Sequence, residues 1–220
     1  MSHRRRPEKN TEPSTAKIRI KPSDACPVCA RPSTFCFCGK TTVIENNLSV
    51  VILEHPQEKF KLLNSSVLAT EILRNCTVKP GLSWRNLKAA TGSDLNPSQW
   101  AILYLKGTAS ESAVTLRNRS KQVITDFSGI KGIIALNGTW QQAKTLWWRN
   151  PWFLKLNTIE LNPDHVSMRN QVRKEGLSTI EAVGFALSVM ESEPSIMAGI
   201  ADQYRRFIIE PSKEYVPSEE

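Results

Sequence analysis

A chain of 220 residues with 40% hydrophobic and 23% charged residues is long enough to bury the core of one domain without disulfides or metals. Its mean hydropathy is −0.32, and no apolar run approaches the ~18–20 residues of a membrane span; collagen-like, coiled-coil and wholly disordered chains are excluded by composition. With 29 Lys+Arg against 21 Asp+Glu the net charge is +8, which points to a polyanionic partner, nucleic acid first.

In chain order, residues 1–24 carry seven basic and three acidic side chains. This stretch holds about half of the net charge and reads as a flexible basic arm, either a solvated tail or a segment that touches phosphates. The leading MSHRRRPEKN runs into no apolar segment, so no secretory signal is expected and the predicted location is cytoplasmic. Four of the five cysteines follow within thirteen residues, as Cys26-Pro-Val-Cys29 and Cys36-Phe-Cys38. Four thiolates at that spacing suit one tetrahedral, structural Zn2+, with residues 25–42 as a zinc knuckle. Reduced thiols without metal, and disulfide or redox use, are the competing readings. Cys76 stands alone and reads as a buried small hydrophobe.

Residues 48–53 are predicted as a buried strand from their β-branched content. Residues 56–64 read as a helix with Pro56 in its first turn and Phe60, Leu63 and Val67 as its apolar stripe. Residues 100–105, 129–136 and 156–161 supply three more buried strands. Thr139-x-x-Gln142 and Ser178-x-x-Glu181 fit the capping box and open helices over residues 140–149 and 179–190. Strands separated by helices imply an α/β fold with a mainly parallel sheet. Residues 43–210 form the expected main domain, and residues 211–220 a frayed tail.

Ligands of open α/β sheets sit outside the carboxyl ends of the strands, and helix starts attract anions. Leu136-Asn-Gly-Thr-Trp140 is such a junction, so Asn137 and Thr139 are expected to face a ligand; the plainer alternative is a turn followed by a helix cap. The next helix places four Trp residues within thirteen positions, beside Lys144 and Arg149 and with no acid. Trp140, Ala143 and Trp147 form the inward stripe, and Trp148 and Arg149 fall off it. Aromatic rings beside cations suit unpaired bases and phosphates, unless all four rings are packing. Arg169 and Arg173, just before the second capped helix, suit a carboxylate or phosphate clamp or a solvated basic loop. His55, at a strand-to-helix junction, reads as structural more readily than as catalytic.

Four blocks in order resemble the DTW-domain family, the tRNA-uridine aminocarboxypropyltransferases. They are the Cys knuckle running into Arg31-Pro32; Glu54-His-Pro-Gln-Glu58 with Asn64-Ser65; Asn137-Gly-Thr-Trp-Gln-Gln-Ala-Lys144; and Leu177-Ser-Thr-Ile-Glu-Ala182. They run from about residue 26 to about residue 190. The resemblance implies transfer of the 3-amino-3-carboxypropyl group of S-adenosylmethionine to N3 of a tRNA uridine, releasing methylthioadenosine. It also implies a SPOUT-like sheet with a trefoil knot. On this reading Asn137, Thr139 and Trp140 are the catalytic positions. Leu105, Leu136, Asn137, Gly138, Thr139, Ser178, Thr179 and Glu181 hold S-adenosylmethionine. Arg31, His55, Lys144, Trp148, Arg149, Arg169 and Arg173 meet tRNA, and Cys26, Cys29, Cys36 and Cys38 bind zinc.

The chain departs from the family at Asn137, where the signature has Asp. An amide accepts no proton as a base, which leaves three explanations: the Asp only hydrogen-bonds, another group is the base, or the chain is inactive. A non-catalytic RNA-binding zinc protein and a SPOUT-type RNA methyltransferase are the alternative functions.

Overall fold

A computed structural model describes residues 20–104, 112–163, 167–169 and 176–214. Seven strands form one sheet: β1 (Ser49–Glu54), β2 (Cys76–Pro80), β3 (Trp100–Tyr104), β4 (Val114–Arg117), β5 (Val123–Ile124), β6 (Gly132–Asn137) and β7 (Asn157–Leu161). Their order is β2-β1-β6-β3-β7-β4-β5. The first five in that order are parallel, and β4 and β5 add an antiparallel edge. The fold is therefore α/β with a mostly parallel sheet, as the alternation of strand and helix patterns predicts. Five helical segments matter here: α1 (Ser66–Ile72), α2 (Leu87–Thr91), α3 (Trp140–Arg149), α4 (Thr179–Met190) and α5 (Pro194–Tyr204). α5 continues through a π-helical turn, Arg205–Ile209, into α6 (Glu210–Glu214). Among the described residues no helix is long and apolar enough to cross a membrane.

The central strands β1, β6 and β3 are buried on both faces, which explains why they read as near-continuous apolar runs. Alternate residues point to opposite sides. Val50, Ile52, Ala101, Ile133, Ala135 and Ile159 meet α1, α4 and α5, whereas Val51, Leu53, Trp100, Ile102 and Ile134 meet α2 and the turn Pro151–Lys155. β6 lies between β1 and β3, although both precede it in sequence. From β1 the chain passes through α1 to β2 on one side, and from β6 through α3 towards β7 on the other. The carboxyl ends of β1 and β6 thus stand at a topological switch point, where a crevice opens.

Residues 56–64 are not the expected helix. Pro56–Glu58 is one 3-10 turn, followed by further tight turns in which Lys61 N–H donates to Glu58 O and Asn64 N–H to Lys61 O. The Asn64 side chain bonds Glu58 O and Ser66 N–H, competing with helical backbone pairing, and the helix begins at Ser66. The inward stripe of α3 also differs. Leu146 is its buried residue, Ala143 and Trp147 are half-buried, and Trp140 at the first turn is 42% exposed. Cys76 opens β2 half-buried, and burial pushes its thiol up to about 12.

The β3/β6 register sets Gly132 opposite Trp100, and a Cβ at position 132 would stand 2.5–2.6 Å from three atoms of the buried indole. Gly132→Ala is expected to destabilise the fold by about 1–3 kcal/mol through overpacking, a fall in Tm of several degrees in a thermal melt. An unchanged Tm would show that Trp100 yields.

Candidate functional site

A cavity of about 590 Å³ opens at the carboxyl ends of β6 and β3. Leu103, Ala135 and Leu136 line its base; Ala143, Trp147 and Trp148 form an apolar wall from α3; Thr179 and Ala182 face it from α4. Its polar rim carries Glu58, Lys61, Asn64, Asn137, Thr139, Lys144 and Arg169. This volume is that of a small-molecule site, mostly apolar with a few placed polar groups.

Both capping boxes form. Thr139 Oγ1 accepts from Gln142 N–H at 3.3 Å, and Gln142 Oε1 accepts from Thr139 N–H at 2.6 Å. Gln142 also donates to Gln57 Oε1 at 3.1 Å, tying the start of α3 to the 3-10 turn after β1. Gly138 is needed there, because a Cβ would lie 2.9 Å from Gln142 Cβ. At the second box, Ser178 N–H donates to Glu181 Oε2 at 2.9 Å. The fully buried Glu181 does more than cap: it accepts from Ser167 Oγ and Met168 N–H, both at 2.7 Å. This anchors the segment that brings Arg169 to the rim, where Arg169 Nη1 reaches Leu63 O at 3.3 Å.

Asn137 is buried at the end of β6. Its Nδ2 donates to Glu54 Oε2 and to Asn64 Oδ1, each at 3.0 Å, and its Oδ1 accepts from Thr179 Oγ1 at 2.8 Å. Asn64 Nδ2 donates to the same Glu54 oxygen at 2.9 Å. One network thus joins the ends of β1 and β6 to the turn before α1 and the start of α4.

The structure therefore brings Leu136, Asn137, Gly138, Thr139, Trp140, Lys144, Trp148, Arg169 and Thr179 around one cavity. Ser178 and Glu181 lie beneath it, engaged in the cap, instead of in its wall. Arg149 is exposed next to Trp148 at the end of α3. His55 is half-buried; its Nδ1 accepts from Gln57 N–H at 3.3 Å and its own N–H donates to Asn137 O at 3.0 Å, which is a cap and a strand contact. Arg31 corrects the reading of it as an RNA contact. It is 2% exposed and donates to Leu62 O and to Phe207 O, joining the knuckle to the main domain, and burial pushes its guanidinium down to about 10. Leu105 and Arg173 lie outside the described residues, as does the arm up to residue 19. Glu54, Glu58, Lys61 and Asn64 were missed as site residues, although the block from Glu54 to Ser65 already carried the signal.

The four knuckle cysteines converge, with all four sulfurs within 4.8 Å of one another. Cys26 Sγ stands 3.9 Å from Cys38 Sγ, and Cys29 Sγ 3.7 Å from Cys36 Sγ. A tetrahedral zinc with Zn–S near ~2.3 Å requires sulfurs about 3.8 Å apart, so the donor set fits the ion and leaves no fifth position for chemistry. Backbone N–H groups of Cys29 and Val28 lower the Cys26 thiol to about 6, and burial raises those of Cys29 and Cys38. Cys29 and Phe37 belong to the main core, so metal and fold are coupled. Metal analysis of freshly purified protein is expected to give about one zinc per chain, and stripping it to lower Tm by about 5 °C or more. Less than about a tenth of an equivalent would reject the assignment.

The chain is 28% identical over 181 residues to tRNA-uridine aminocarboxypropyltransferase 2 of Mus musculus, covering 78% of this chain and 58% of the relative. It is 27% identical over 180 residues to the protein of the same name from Drosophila melanogaster, covering 78% and 68%. Against tRNA-uridine aminocarboxypropyltransferase A of Arabidopsis thaliana it is 29% identical over 130 residues, covering 55% and 49%. The chain thus spans little more than half the length of the mouse relative. No solved structure matches. The DTW domain model matches residues 23–210, from the knuckle to the start of α6, and the chain belongs to the DTW domain family.

Proposed function

We propose that this chain transfers the 3-amino-3-carboxypropyl group of S-adenosylmethionine to N3 of a tRNA uridine. The observation that carries the reading is the cavity at the carboxyl ends of β6 and β3, beside the β1/β6 switch point, rimmed by the Asn137–Thr139 junction and faced by Thr179. There three of the four blocks that carry the resemblance meet an apolar wall and a cationic rim in one place. Membership of a family whose named relatives are tRNA-uridine aminocarboxypropyltransferases supports the same reaction.

The chemistry follows from the donor. A sulfonium makes three adjacent carbons electrophilic, and the one that lies in line with the nucleophile reacts. The Trp147 and Ala143 side of the cavity suits the adenosine, and the cations Arg169 and Lys61 suit the carboxylate of the aminocarboxypropyl arm. That arm then points to the rim, where the uridine arrives. N3 bonds to the terminal carbon of the arm, the carbon–sulfur bond breaks, and its electron pair stays on sulfur, so methylthioadenosine leaves neutral. The N3 proton goes to a base, and Glu58 is the acid in the described cavity wall. It sits 2.5 Å from Lys61 Nζ.

The exposed side of α3 forms the tRNA-facing surface in this reading. Trp148 is 78% exposed between the exposed Lys144 and Arg149, an aromatic platform among cations of the kind unpaired bases use. The knuckle holds a structural zinc through Cys26, Cys29, Cys36 and Cys38, supplying rigidity and no step of the reaction. A SPOUT-like knot, a basic arm over residues 1–24 that approaches phosphates, and a cytoplasmic location complete the proposal.

Incubation with S-adenosylmethionine and unmodified tRNA is expected to yield 3-(3-amino-3-carboxypropyl)uridine by nucleoside mass analysis, with methylthioadenosine as by-product. Release of S-adenosylhomocysteine would identify a methyltransferase instead. Binding of tRNA without either product would identify a non-catalytic RNA-binding protein. Glu58→Gln is expected to lower kcat by about 100-fold or more, the lower end of general base catalysis, with smaller effects on binding; an unchanged kcat would remove Glu58 from the reaction. Trp148→Ala is expected to weaken tRNA binding about tenfold, the value of one stacked base, with Tm unchanged. Binding of both proteins should weaken as salt rises, and equal affinities would exclude Trp148 from the interface.

A further inference from the structure

Glu54 is a buried carboxylate that the reaction above leaves without a task. It ends β1 with 2% of its surface exposed, and in the β1/β6 register it stands directly opposite Asn137. Its Oε2 accepts from Asn64 Nδ2 at 2.9 Å, from Asn137 Nδ2 at 3.0 Å, and from Ser66 Oγ. Each amide group has two protons to give, and all four are engaged: those of Asn64 on Glu54 and Glu58 O, those of Asn137 on Glu54 and Asn64 Oδ1. The acceptor Glu54 thereby decides which way the Asn137 amide faces. With Nδ2 held against Glu54, Oδ1 turns to Thr179 Oγ1 at 2.8 Å and to the cavity that Asn137 and Thr179 both line. A carbonyl oxygen takes two hydrogen bonds, so Oδ1 has capacity for a ligand.

The same contact suits an amide at position 137, whose Nδ2 is the donor that Glu54 accepts from. Two carboxylates about 3 Å apart do not both ionise, so Asp at 137 and Glu at 54 would conflict. With Asn at 137, the negative charge of the site sits one strand over, behind a neutral acceptor.

We propose that Glu54 is the positioning residue of the donor site: it fixes the Asn137 carbonyl towards the bound ligand and favours a cationic one. The inference rests on the proposed function, because S-adenosylmethionine carries a sulfonium and an ammonium whereas its product methylthioadenosine carries neither. A buried carboxylate behind the acceptor discriminates between them by charge.

The test compares the wild type with Glu54→Gln, Asn137→Asp and the double variant, by calorimetry with S-adenosylmethionine and with methylthioadenosine, and by thermal melting. Glu54→Gln is expected to weaken S-adenosylmethionine by about tenfold or more, the loss of one buried charge-assisted contact. Methylthioadenosine should change by less than about twofold, because it lacks the charge. Asn137→Asp alone is expected to lower Tm by several degrees. The double variant, which returns the charge to β6 and removes the conflict, should recover most of the Tm and most of the affinity for S-adenosylmethionine.

Equal weakening of both ligands by Glu54→Gln would show a merely structural residue and overturn the inference, as would additive losses in the double variant. Should Glu54→Gln fail to fold, the double variant decides alone: recovery supports the exchange of charge, and failure to recover overturns it. A wild type that transfers the group to tRNA, with a Glu54→Gln variant that binds both ligands normally, defeats this inference and leaves the proposed function standing. A wild type that binds neither ligand defeats the proposed function, and this inference with it.

Discussion

The parallel pairing of β1 with β6 is the constraint from which the site follows. Six residues of each strand run in register, from Ser49 opposite Gly132 to Glu54 opposite Asn137. Val50, Ile52, Ile133 and Ala135 belong to one core, and Val51, Leu53 and Ile134 to the other. A one-residue slip would exchange those faces, so burial on both sides fixes the register. The register in turn sets two polar side chains next to each other at the carboxyl ends, where the apolar pattern stops. The chain leaves these ends in opposite directions, through α1 towards β2 and through α3 towards β7, and the crevice between them is a consequence of topology.

The Cys knuckle is part of the same construction and not an appendage beside it. Cys29 and Phe37 are buried in the core that α4 and α5 cover, Phe37 packs against Phe207 at 6.1 Å between ring centroids, and Arg31 reaches from the knuckle to two carbonyls of the main domain. Leu62 O, one of those carbonyls, lies in the tight turns that also deliver Asn64 to Glu54. A disturbance of the knuckle therefore has a short covalent and hydrogen-bonded route to the network under the cavity. Burying a guanidinium costs desolvation, seen in the lowered Arg31 value, and carbonyl partners offset it. A solvent-facing Arg would have been cheaper but would have tied nothing together.

Elements with strong local signals were legible in the chain itself. Residues 48–53 and the end of 129–136 are largely apolar and β-branched because both faces are covered, whereas 156–161 alternates apolar with polar residues; β1, β6 and β7 fall within a residue or a few of these bounds. Thr139 with Gln142 and Ser178 with Glu181 announced α3 and α4, since a capping box is satisfied within four residues. What escaped depends on distant partners. β2 is an edge strand with exposed alternate residues and Pro80 at its end, tolerated there because an edge leaves some N–H groups unpaired. β5 has two residues and no pattern of its own. The tight turns over residues 56–64 imitate a helical stripe, and only the contacts of Asn64 with Glu54 and Asn137 show why a helix does not form. The site was legible at Asn137, Thr139 and Thr179, whose junctions are local. Arg31 misled because a basic residue beside a cysteine knuckle looks exposed until Leu62 and Phe207 close over it. Glu54 escaped for the converse reason, since nothing along β1 says which residue of a later strand will face it.

The remaining question at Asn137 is physical: whether a site that lacks an acid at its signature position lacks the property the acid supplies. An aspartate there could serve as a proton acceptor, as a source of negative potential, or as a hydrogen-bond acceptor of fixed direction. The network separates these three. Direction is kept, because Glu54 and Asn64 hold both amide protons and leave Oδ1 towards Thr179. Potential is kept, because Glu54 brings a carboxylate to within 3.0 Å of the amide nitrogen in a setting where water screens little. Proton acceptance is the one property an amide loses, and under the proposed function that task passes to Glu58, which also lines the cavity. A buried acid that only orients and polarises is interchangeable with an amide backed by a neighbouring acid, whereas one that moves a proton is not. Asn137 beside Glu54 is the arrangement expected of the first kind.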